Sequence, residues 1–548
     1  MKLKNYYHTL KYLKFSQIYY RIQKRFSHPT VNKVSCGQAD ISGNWVSHGL
    51  YEQKLFADNR VRFLNSEGYI GSEYDWNDSA QAKLWLYNLH YFDDLNAINA
   101  ALRSSLHIHF IDRWIVENPA PSGNGWEPYP TSLRIVNWIK AFLAGLPVDQ
   151  LKLDSLAMQA DVLSQDLERH ILGNHLFVNA KALIFSGCFL EGKEADNWLE
   201  TGLRIYNNEL DEQVLSDGGN FELTPMYHVI MLVDLLDLIN LFTTYSHKVD
   251  STLIDKTKSA AKKMLSWLKV MSHDDGEISF FNDSVFSIAP KNGVVFSYAT
   301  KLGINTSVLN TVPVDSVQLY DLPESGYVSV KTTEYSFIAD LSAVGPDYIP
   351  GHGHADTLSF EFSLLGQRVF VNSGISEYGL STERLRQRKT AAHNTVSVNG
   401  LDSSVVWSGF RVAQRARVKH RVVEQVKNNV CFSASHNGFK QQGIDCIHKR
   451  SWSLGLKEIK ITDELKGKFN SAVANLHLHP CVVVESVNKG FVVLSAEDFI
   501  LELKFIGVSI SLEDSTWHPE FGVSLASKKL CCHFLDGLMS LEIFWSKR

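Results

Sequence analysis

The sequence predicts an α+β protein with more than one domain, in which helices form the first part and antiparallel strands the second. Before residue 310, apolar residues recur at helical spacing, as between Leu133 and Phe142. After residue 320, apolar and polar residues alternate, as from Tyr327 to Lys331. Gly303 to Pro323 has the Asn, Ser, Pro and Asp content of a linker. We therefore predict a helical domain over residues 1–315 and a β-domain over residues 316–548.

Three segments of the first part have the length and periodicity of single helices. They are Leu176 to Leu190, Tyr227 to Phe242 and Ile254 to Met271. Gly, Pro and Asn residues in the connecting pieces divide the helices into hairpins that are too small to bury their own apolar faces. We therefore expect the hairpins to stack on one another.

Short alternating runs continue through the second part. Examples are Leu358 to Phe362, Val369 to Val371, Phe491 to Leu494 and Leu501 to Phe505. Many short strands separated by turns are typical of a large antiparallel β-sandwich.

Composition excludes several classes of protein. The net charge of -5 argues against a general nucleic-acid binder. The seven cysteines show no repeated Cys-x-x-Cys spacing, so neither a zinc ribbon nor a disulfide framework is indicated. Met1 to Phe26 is basic and aromatic but contains no signal-peptide core, and Val229 to Phe242 is too short to span a bilayer. We therefore expect a cytoplasmic protein, and a periplasmic location stays open. A peripheral membrane contact of the basic N-terminal segment also stays open, although no sequence feature supports it.

A histidine cluster in the second part is the strongest chemical signal. His352 and His354 lie two residues apart, so they share a face if the segment is extended. Asp356, Arg388 and His393 follow within about forty residues. Such imidazoles can bind a metal, transfer protons or hold an anion. The alternative is a pair of surface histidines in a Gly-rich turn, and the third histidine favours a functional site.

The first part offers three weaker candidates. Asn174 and His175 precede an apolar helix and could donate hydrogen bonds to a carboxylate; the alternative is a plain N-cap. Pro225 is placed to begin a helix, which puts Tyr227 in the first turn, where the helix dipole would lower the phenol pKa. The alternative is a packed aromatic. Arg134 could clamp a carboxylate or form a surface salt bridge.

Together these motifs resemble the heparinase II/III family of polysaccharide lyases over about residues 80–400. The resemblance rests on Gly173-Asn174-His175, Phe221 to His228, His352 to Phe360, Gly366, Gly374, Tyr378, Arg388 and His393-Asn394-Thr395. It implies an N-terminal incomplete α/α toroid followed by a C-terminal antiparallel β-sandwich, with the active cleft between them. It also implies cleavage of uronic-acid polysaccharides by β-elimination.

The resemblance implies a role for each matching residue. Asn174 and His175 would neutralise the substrate carboxylate, and Tyr227 would act as base or acid. His352 would be a second proton-transfer or substrate-binding group, and Tyr378 a second catalytic tyrosine. The residues assigned to substrate binding are Arg134, Glu222 and Arg388.

The family pattern also includes a structural zinc, and here the sequence departs from it. The corresponding positions are His354, Asn372 and His393, and Asn372 stands where an Asp is expected. A neutral amide is a much poorer zinc ligand than a carboxylate, although Asp356 could substitute. No cofactor is therefore required, and zinc stays open.

The sequence thus favours a lyase that acts on an anionic polysaccharide. Since no secretion signal is visible, we expect a link to polysaccharide biosynthesis or turnover. One alternative is a C5-epimerase of a uronic-acid polymer, which begins with the same proton removal. Another is a non-catalytic glycan-binding protein. No nucleic-acid partner is expected, and a homodimer stays open.

Overall fold

A computed structural model describes residues 2–305 and 312–548 of the protein. Residues 306–311, within the predicted linker, and Met1 lie outside the described residues. Helices dominate up to Lys301, and strands dominate from Gln318.

The described residues form thirteen α-helices, and three of them match the three predicted segments to within three residues at each end. Their bounds are α1 Lys2–Leu10, α2 Phe15–Gln23, α3 Lys83–Tyr91, α4 Ser104–Glu117, α5 Pro128–Leu143, α6 Gln150–Gln165, α7 Gly173–Phe189, α8 Lys193–Gln213, α9 Pro225–Thr244, α10 Ser251–Val270, α11 Asn292–Lys301, α12 Thr382–Arg388 and α13 Gly438–Gln441. Short 3₁₀ turns connect several of them.

The strands form three sheets of four or more strands and three two-stranded pairs in the described residues. Their bounds are β1 Gly37–Gln38, β2 Arg60–Phe63, β3 Ser66–Tyr69, β4 Leu190–Glu191, β5 Gln318–Leu322, β6 Tyr327–Lys331, β7 Tyr335–Asp340, β8 Phe360–Leu364, β9 Gln367–Phe370, β10 Val396–Val398, β11 Val406–Trp407, β12 Arg411–Val412, β13 Val418–Val426, β14 Asn429–His436, β15 Cys446–Leu454, β16 Glu458–Gly467, β17 Ala472–His477, β18 Val483–Asn488, β19 Phe491–Ser495, β20 Phe499–Ile506, β21 Val508–Trp517, β22 Leu525–Phe534 and β23 Leu538–Lys547.

Helix α9 is the most apolar helix and lies in the core of the helical part. It has 20 residues, so it is longer than the sequence pattern predicted and long enough by composition to cross a membrane. However, 83% of its apolar window is buried inside the protein. Helix α7 is likewise buried on almost every side. Both helices therefore lie in the core, covered by other parts of the protein. Both also begin at the candidate active site.

The β-rich part is antiparallel throughout its large sheets. An eight-stranded sheet has the order β13-β14-β15-β16-β23-β20-β19-β18, a four-stranded sheet the order β10-β17-β22-β21, and a five-stranded sheet the order β5 to β9. Strand β15 alternates strictly between buried and half-buried residues, as a strand does when one face covers a core. The predicted change from helices to antiparallel strands is confirmed.

An apolar cluster joins the two parts. Trp267 and Val270 of α10 pack with Tyr327 of β6, Ile338 of β7 and Leu223. Trp267 donates a hydrogen bond to the Ser325 hydroxyl (2.9 Å), and Tyr327 donates one to the Leu223 carbonyl (2.7 Å). This contact holds the five-stranded sheet against the helical part, close to the start of α9.

We expect Trp267→Ala to destabilise the protein, because the side chain is almost fully buried and fills the contact between the two parts. The free energy of unfolding should fall by about 3–5 kcal/mol. Urea denaturation measures this change. Leu102→Ala, at an exposed position, is the control and should change it by less than about 0.5 kcal/mol. Equal stability of the two variants would contradict the role of the cluster.

Candidate active site

The predicted catalytic residues meet where the helical and β-rich parts face each other. Asn174 and His175 lie in the first turn of α7, and Tyr227 lies in the first turn of α9. His352 and Tyr378 lie in loops of the β-rich part. The hydroxyls of Tyr227 and Tyr378 are 3.1 Å apart, and the ring centroids of Tyr227 and His352 are 4.0 Å apart. Tyr227 therefore links the two parts of the site.

Glu222 lies between Asn174 and His352 and so connects the start of α7 to the group of Tyr227, Tyr378 and His352. Its buried carboxylate lies 3.8 Å from Nε2 of His352 and accepts a hydrogen bond from the backbone of Asn174. Burial raises the pKa of Glu222. A Cβ at Gly173 would lie 3.2 Å from Glu222 Oε1 and 2.7 Å from Ile349 Cδ1, and its φ is +56°. Glycine is therefore required for this close approach.

The two helices begin in different ways. At α9, Pro225 occupies the first turn, and the Thr224 hydroxyl accepts a hydrogen bond from the Tyr227 N–H (3.4 Å). The predicted helix start at Pro225 is confirmed. At α7, Leu172 precedes the helix with φ +71° and provides no side-chain cap. Asn174 lies inside the first turn, so the interpretation of this residue as a plain N-cap is wrong.

His175 and Asn174 present polar groups next to each other. His175 Nδ1 is 3.0 Å from the buried Glu168 carboxylate, and Asn174 Nδ2 donates to the Tyr129 hydroxyl at 3.0 Å. Burial opposes a charge on His175, but the attraction of Glu168 outweighs it and raises the His175 pKa. The same pairing lowers the pKa of Glu168 despite its burial. His175 is therefore held toward its cationic form.

The paired tyrosines are held in their neutral form. Burial raises the pKa of Tyr227 well above its usual value, and the neighbouring Tyr378 adds to the shift. Burial, with the negative charge of Asp283, does the same to Tyr378. The predicted lowering of the Tyr227 pKa by the helix dipole is wrong, because desolvation and the second phenol outweigh a partial charge. Both phenols can therefore donate protons.

Asp283 is the central residue that sequence reasoning missed. Its fully buried carboxylate accepts hydrogen bonds from His352 Nδ1 (2.9 Å), from His354 Nε2 (2.7 Å) and from both terminal nitrogens of Arg384. Burial disfavours the charge, but Arg384 and the two histidines hold the Asp283 pKa well below its usual value. An ionised carboxylate only accepts hydrogen bonds, so Nδ1 of His352 carries the proton. In neutral His352, Nε2 is then a free base.

The sequence predicted that His352 and His354 share one face of an extended segment. In the structure they lie together for another reason. The segment from Gly351 to Asp356 turns instead of forming a strand. Both imidazoles contact Asp283, each through a different carboxylate oxygen. The shared carboxylate, and not the period of a strand, places the two rings together.

The donors at the predicted zinc positions do not fit a zinc ion. His354 Nδ1 lies 3.2 Å from His393 Nε2, and the other nitrogen of His354 contacts Asp283, as that of a metal-bound histidine commonly contacts a carboxylate, so two donors are in place and the third position decides. Asn372 Oδ1 accepts the backbone N–H of Asn394, and its amide nitrogen is buried without a hydrogen-bond partner. Within residues 2–305 and 312–548, no group of three His, Cys, Asp or Glu side chains could hold a metal. Metal content stays a prediction.

Two arginines that were predicted to bind substrate lie in buried positions. Arg134 donates to Gln159 and to the Gly125 carbonyl, and its guanidinium stacks 3.7 Å from the Trp114 ring. It is fully buried, so neither an anion contact nor a surface salt bridge fits its position. Arg388 is also fully buried and donates to the Gly353 carbonyl at 2.8 Å. It therefore holds the loop that carries His352 and does not reach a ligand.

Sequence patterns gave little indication of the site residues that were not predicted. Asp283 is 69 residues from His352 and Arg384 is 101 residues from Asp283, and no local motif joins them. Glu168 lies in the turn before α7, only seven residues from His175, so a pairing could have been suspected. Tyr129 lies in a Pro-Tyr-Pro segment five residues before Arg134, and nothing in that segment indicates a contact with Asn174.

Two profiles of one known protein family match the chain. The profile of the heparinase II/III N-terminus matches residues 3–301, and that of the heparinase II/III-like C-terminal domain matches residues 316–536. The chain belongs to the heparinase II/III family. The resemblance that the sequence motifs indicated is thereby confirmed.

Individual relatives are distant. The heparin-sulfate lyase of Bacteroides stercoris is 26% identical over 303 residues, which cover 50% of this chain and 43% of that protein. A heparin-sulfate lyase of Bacteroides thetaiotaomicron is 22% identical over 445 residues, which cover 69% of this chain and 62% of that protein. The matches thus span 43% and 62% of the length of these curated relatives, less than two thirds of either.

A solved structure supports the fold. The crystal structure of heparinase III superposes with a TM-score of 0.69 at 17% identity, covering 89% of this chain and 80% of that one. The predicted architecture, an α/α toroid followed by an antiparallel β-sandwich, is confirmed.

We expect Asp283→Asn to destabilise the protein strongly, because Arg384 would lose its only carboxylate in the described part of the chain. Leaving one member of a buried ion pair without its partner lowers the free energy of unfolding by about 3–5 kcal/mol. Urea denaturation at neutral pH checks this. Asp321→Asn removes an exposed partner of Arg421 and should change stability by less than about 1 kcal/mol. A small effect at Asp283 would mean that the pair is not the anchor of the site.

Proposed function

We propose that this protein cleaves uronic-acid polysaccharides by β-elimination. The reaction needs a group that neutralises the uronate carboxylate, a base for the C5 proton and an acid for the departing O4. The proposal rests on one observation: Tyr227, Tyr378 and His352 contact one another beside Asn174 and His175. Family membership and the names of the heparin-sulfate lyase relatives support it.

Asn174 and His175 neutralise the carboxylate in this proposal. A carboxylate beside the C5 proton must lose much of its charge before that proton becomes acidic enough to leave. His175, which Glu168 holds toward its cationic form, supplies the charge, and its side chain remains one-third exposed. The Asn174 amide, now bound to the neutral Tyr129 hydroxyl, supplies a second donor.

His352 acts as the base and Tyr227 as the acid. Nε2 of neutral His352 takes the C5 proton, and Asp283 stabilises the resulting imidazolium through Nδ1. The C5 electron pair forms the C4–C5 double bond, and the C4–O4 bond breaks with its electrons on O4. Tyr227, whose raised pKa keeps it protonated, donates its proton to O4. Tyr378 donates a hydrogen bond to the phenolate that remains, and a proton from His352 restores Tyr227.

The charges around the site favour a glycan with few sulfates. Two arginines that contact the surroundings of His352 donate their hydrogen bonds within the protein: Arg384 to Asp283, and Arg388 to the carbonyls of Gly353 and Gly409. A densely sulfated chain needs several free cationic donors, whereas a single uronate needs the groups that Asn174 and His175 supply.

Activity assays on matched polymers test the proposal. We expect unsaturated uronate, followed by its ultraviolet absorbance, from a desulfated and N-acetylated heparan chain, and less from the sulfated parent. Deuterium from heavy water at C5 without unsaturation would indicate a C5-epimerase instead. Binding without either product would indicate a glycan-binding protein.

We expect Tyr227→Phe to lower kcat by a factor of about 10²–10⁴ with little change in KM, because it removes the proton donor and leaves the ring. Tyr245→Phe is the matched control at the other end of α9; Tyr245 is buried and its hydroxyl has no hydrogen-bond partner in the described structure. It should retain full activity. Full activity of Tyr227→Phe would refute the assignment of the acid.

We expect activity to depend on the charge of His175. Because its pKa is raised, the cationic form is complete below the ordinary pKa of histidine and is lost as pH rises through the raised value. Glu168→Gln should move the alkaline limb of kcat/KM to lower pH. Glu117→Gln, which alters a pair with Arg113 in another part of the chain, should leave the profile unchanged. An unmoved limb in Glu168→Gln would contradict this role of His175.

A further inference from the structure

The N-terminal helices carry apolar stripes that face solvent. In α1 the exposed apolar side chains are Leu3, Tyr6, Tyr7 and Leu10, and in α2 they are Phe15, Ile18, Tyr19 and Ile22. Each set has the i, i+3, i+4, i+7 spacing of a single helix face. Their exposed fractions lie between 43% and 87%, and Phe26 continues the second stripe at 84%.

The opposite, polar faces of these helices are bound to the protein. Gln17 is almost fully buried and donates to the carbonyls of Ile171 (3.4 Å) and Tyr348 (3.3 Å). Lys14 pairs with Glu212, and Lys24 pairs with Asp166 at 2.9 Å. The Thr9 hydroxyl contacts the Val412 carbonyl at 3.3 Å. Because these contacts hold the polar faces inward, the apolar stripes cannot turn toward the core.

The same segment is strongly basic. Residues 1–39 contain six lysines, two arginines and no acidic residue, whereas the whole chain has a net charge of -5. Lys4, Arg21 and Arg25 are exposed, and none of them forms an ion pair with the described residues. An apolar face beside unpaired basic side chains complements a surface that is apolar beneath a negatively charged layer.

We propose that α1 and α2 dock the protein on the surface of a bilayer that contains anionic phospholipid. The apolar stripes enter the boundary between headgroups and acyl chains, and the basic side chains contact the headgroups. A second copy bound through the same face would bring two basic segments together. A soluble acidic polysaccharide would use the positive charge but would leave aliphatic residues such as Leu10 and Ile22 in water.

Docking in this orientation places the candidate active site near the bilayer. Ile171 lies in the turn that leads to Asn174, and Tyr348 lies in the loop that leads to His352. Gln17 contacts the carbonyls of both. The membrane-facing helices thus contact the two chain segments that carry the site residues.

Flotation with lipid vesicles tests the proposal without any glycan, so its outcome does not depend on lyase activity. We expect the full chain to float with vesicles in which one lipid in three is phosphatidylglycerol, and not with pure phosphatidylcholine. Phe15→Ser with Ile22→Ser should lower the partition coefficient roughly tenfold for each side chain. Lys4→Gln with Arg25→Gln should lower it about fivefold for each charge.

Matched controls separate docking from general stickiness and from misfolding. Leu102→Ser with Leu535→Ser removes exposed apolar side chains outside the N-terminal helices and should leave flotation unchanged. Circular dichroism and thermal melting confirm that each variant is folded. Equal flotation of the Phe15→Ser, Ile22→Ser variant would overturn the proposal. A dimer in sedimentation velocity that this variant dissociates, without vesicle binding by the full chain, would assign the stripes to a second copy and overturn it as well.

Discussion

The buried carboxylate of Asp283 is the interaction on which the site depends. It lies in the segment between α10 and α11, yet its partners all come from the β-rich part: His352, His354 and Arg384. A buried charge is costly unless it is paired and hydrogen-bonded, and here a bidentate arginine and two imidazoles meet both requirements. The helical part therefore supplies the anion around which the β-rich part arranges its histidines.

The packing between the two parts makes this ion pair geometrically possible. The cluster around Trp267 holds the five-stranded sheet on α10. Tyr327 of that sheet also donates a hydrogen bond to Leu223, two residues before Pro225 at the start of α9. Tyr227 consequently reaches a tyrosine that is 151 residues further along the chain. Apolar burial positions the backbone, and the polar contacts then select the side-chain orientation and protonation state.

Two kinds of polar environment coexist in the site. Tyr227 and Tyr378 are half-buried beside each other and remain neutral because desolvation disfavours a phenolate, and at Tyr378 it outweighs the attraction of Arg384. His175, by contrast, has Glu168 and is held toward its charged form. All three pKa values are raised, which keeps the two phenols neutral and the imidazole of His175 cationic, so neutral proton donors lie beside a charge-stabilising group. The proposed lyase reaction uses both.

Local sequence determined the elements and the motifs, and tertiary structure decided their electrostatics. Periodicity predicted α7, α9 and the alternating strands, since the spacing of apolar residues directly reflects which face is buried. Motif order indicated Asn174, His175, Tyr227 and His352, and the fold brings them together. The low pKa of Asp283, the raised pKa of Tyr227 and the burial of Arg134 were beyond prediction from sequence. They depend on desolvation and on partners that are distant along the chain, and a local pattern records neither.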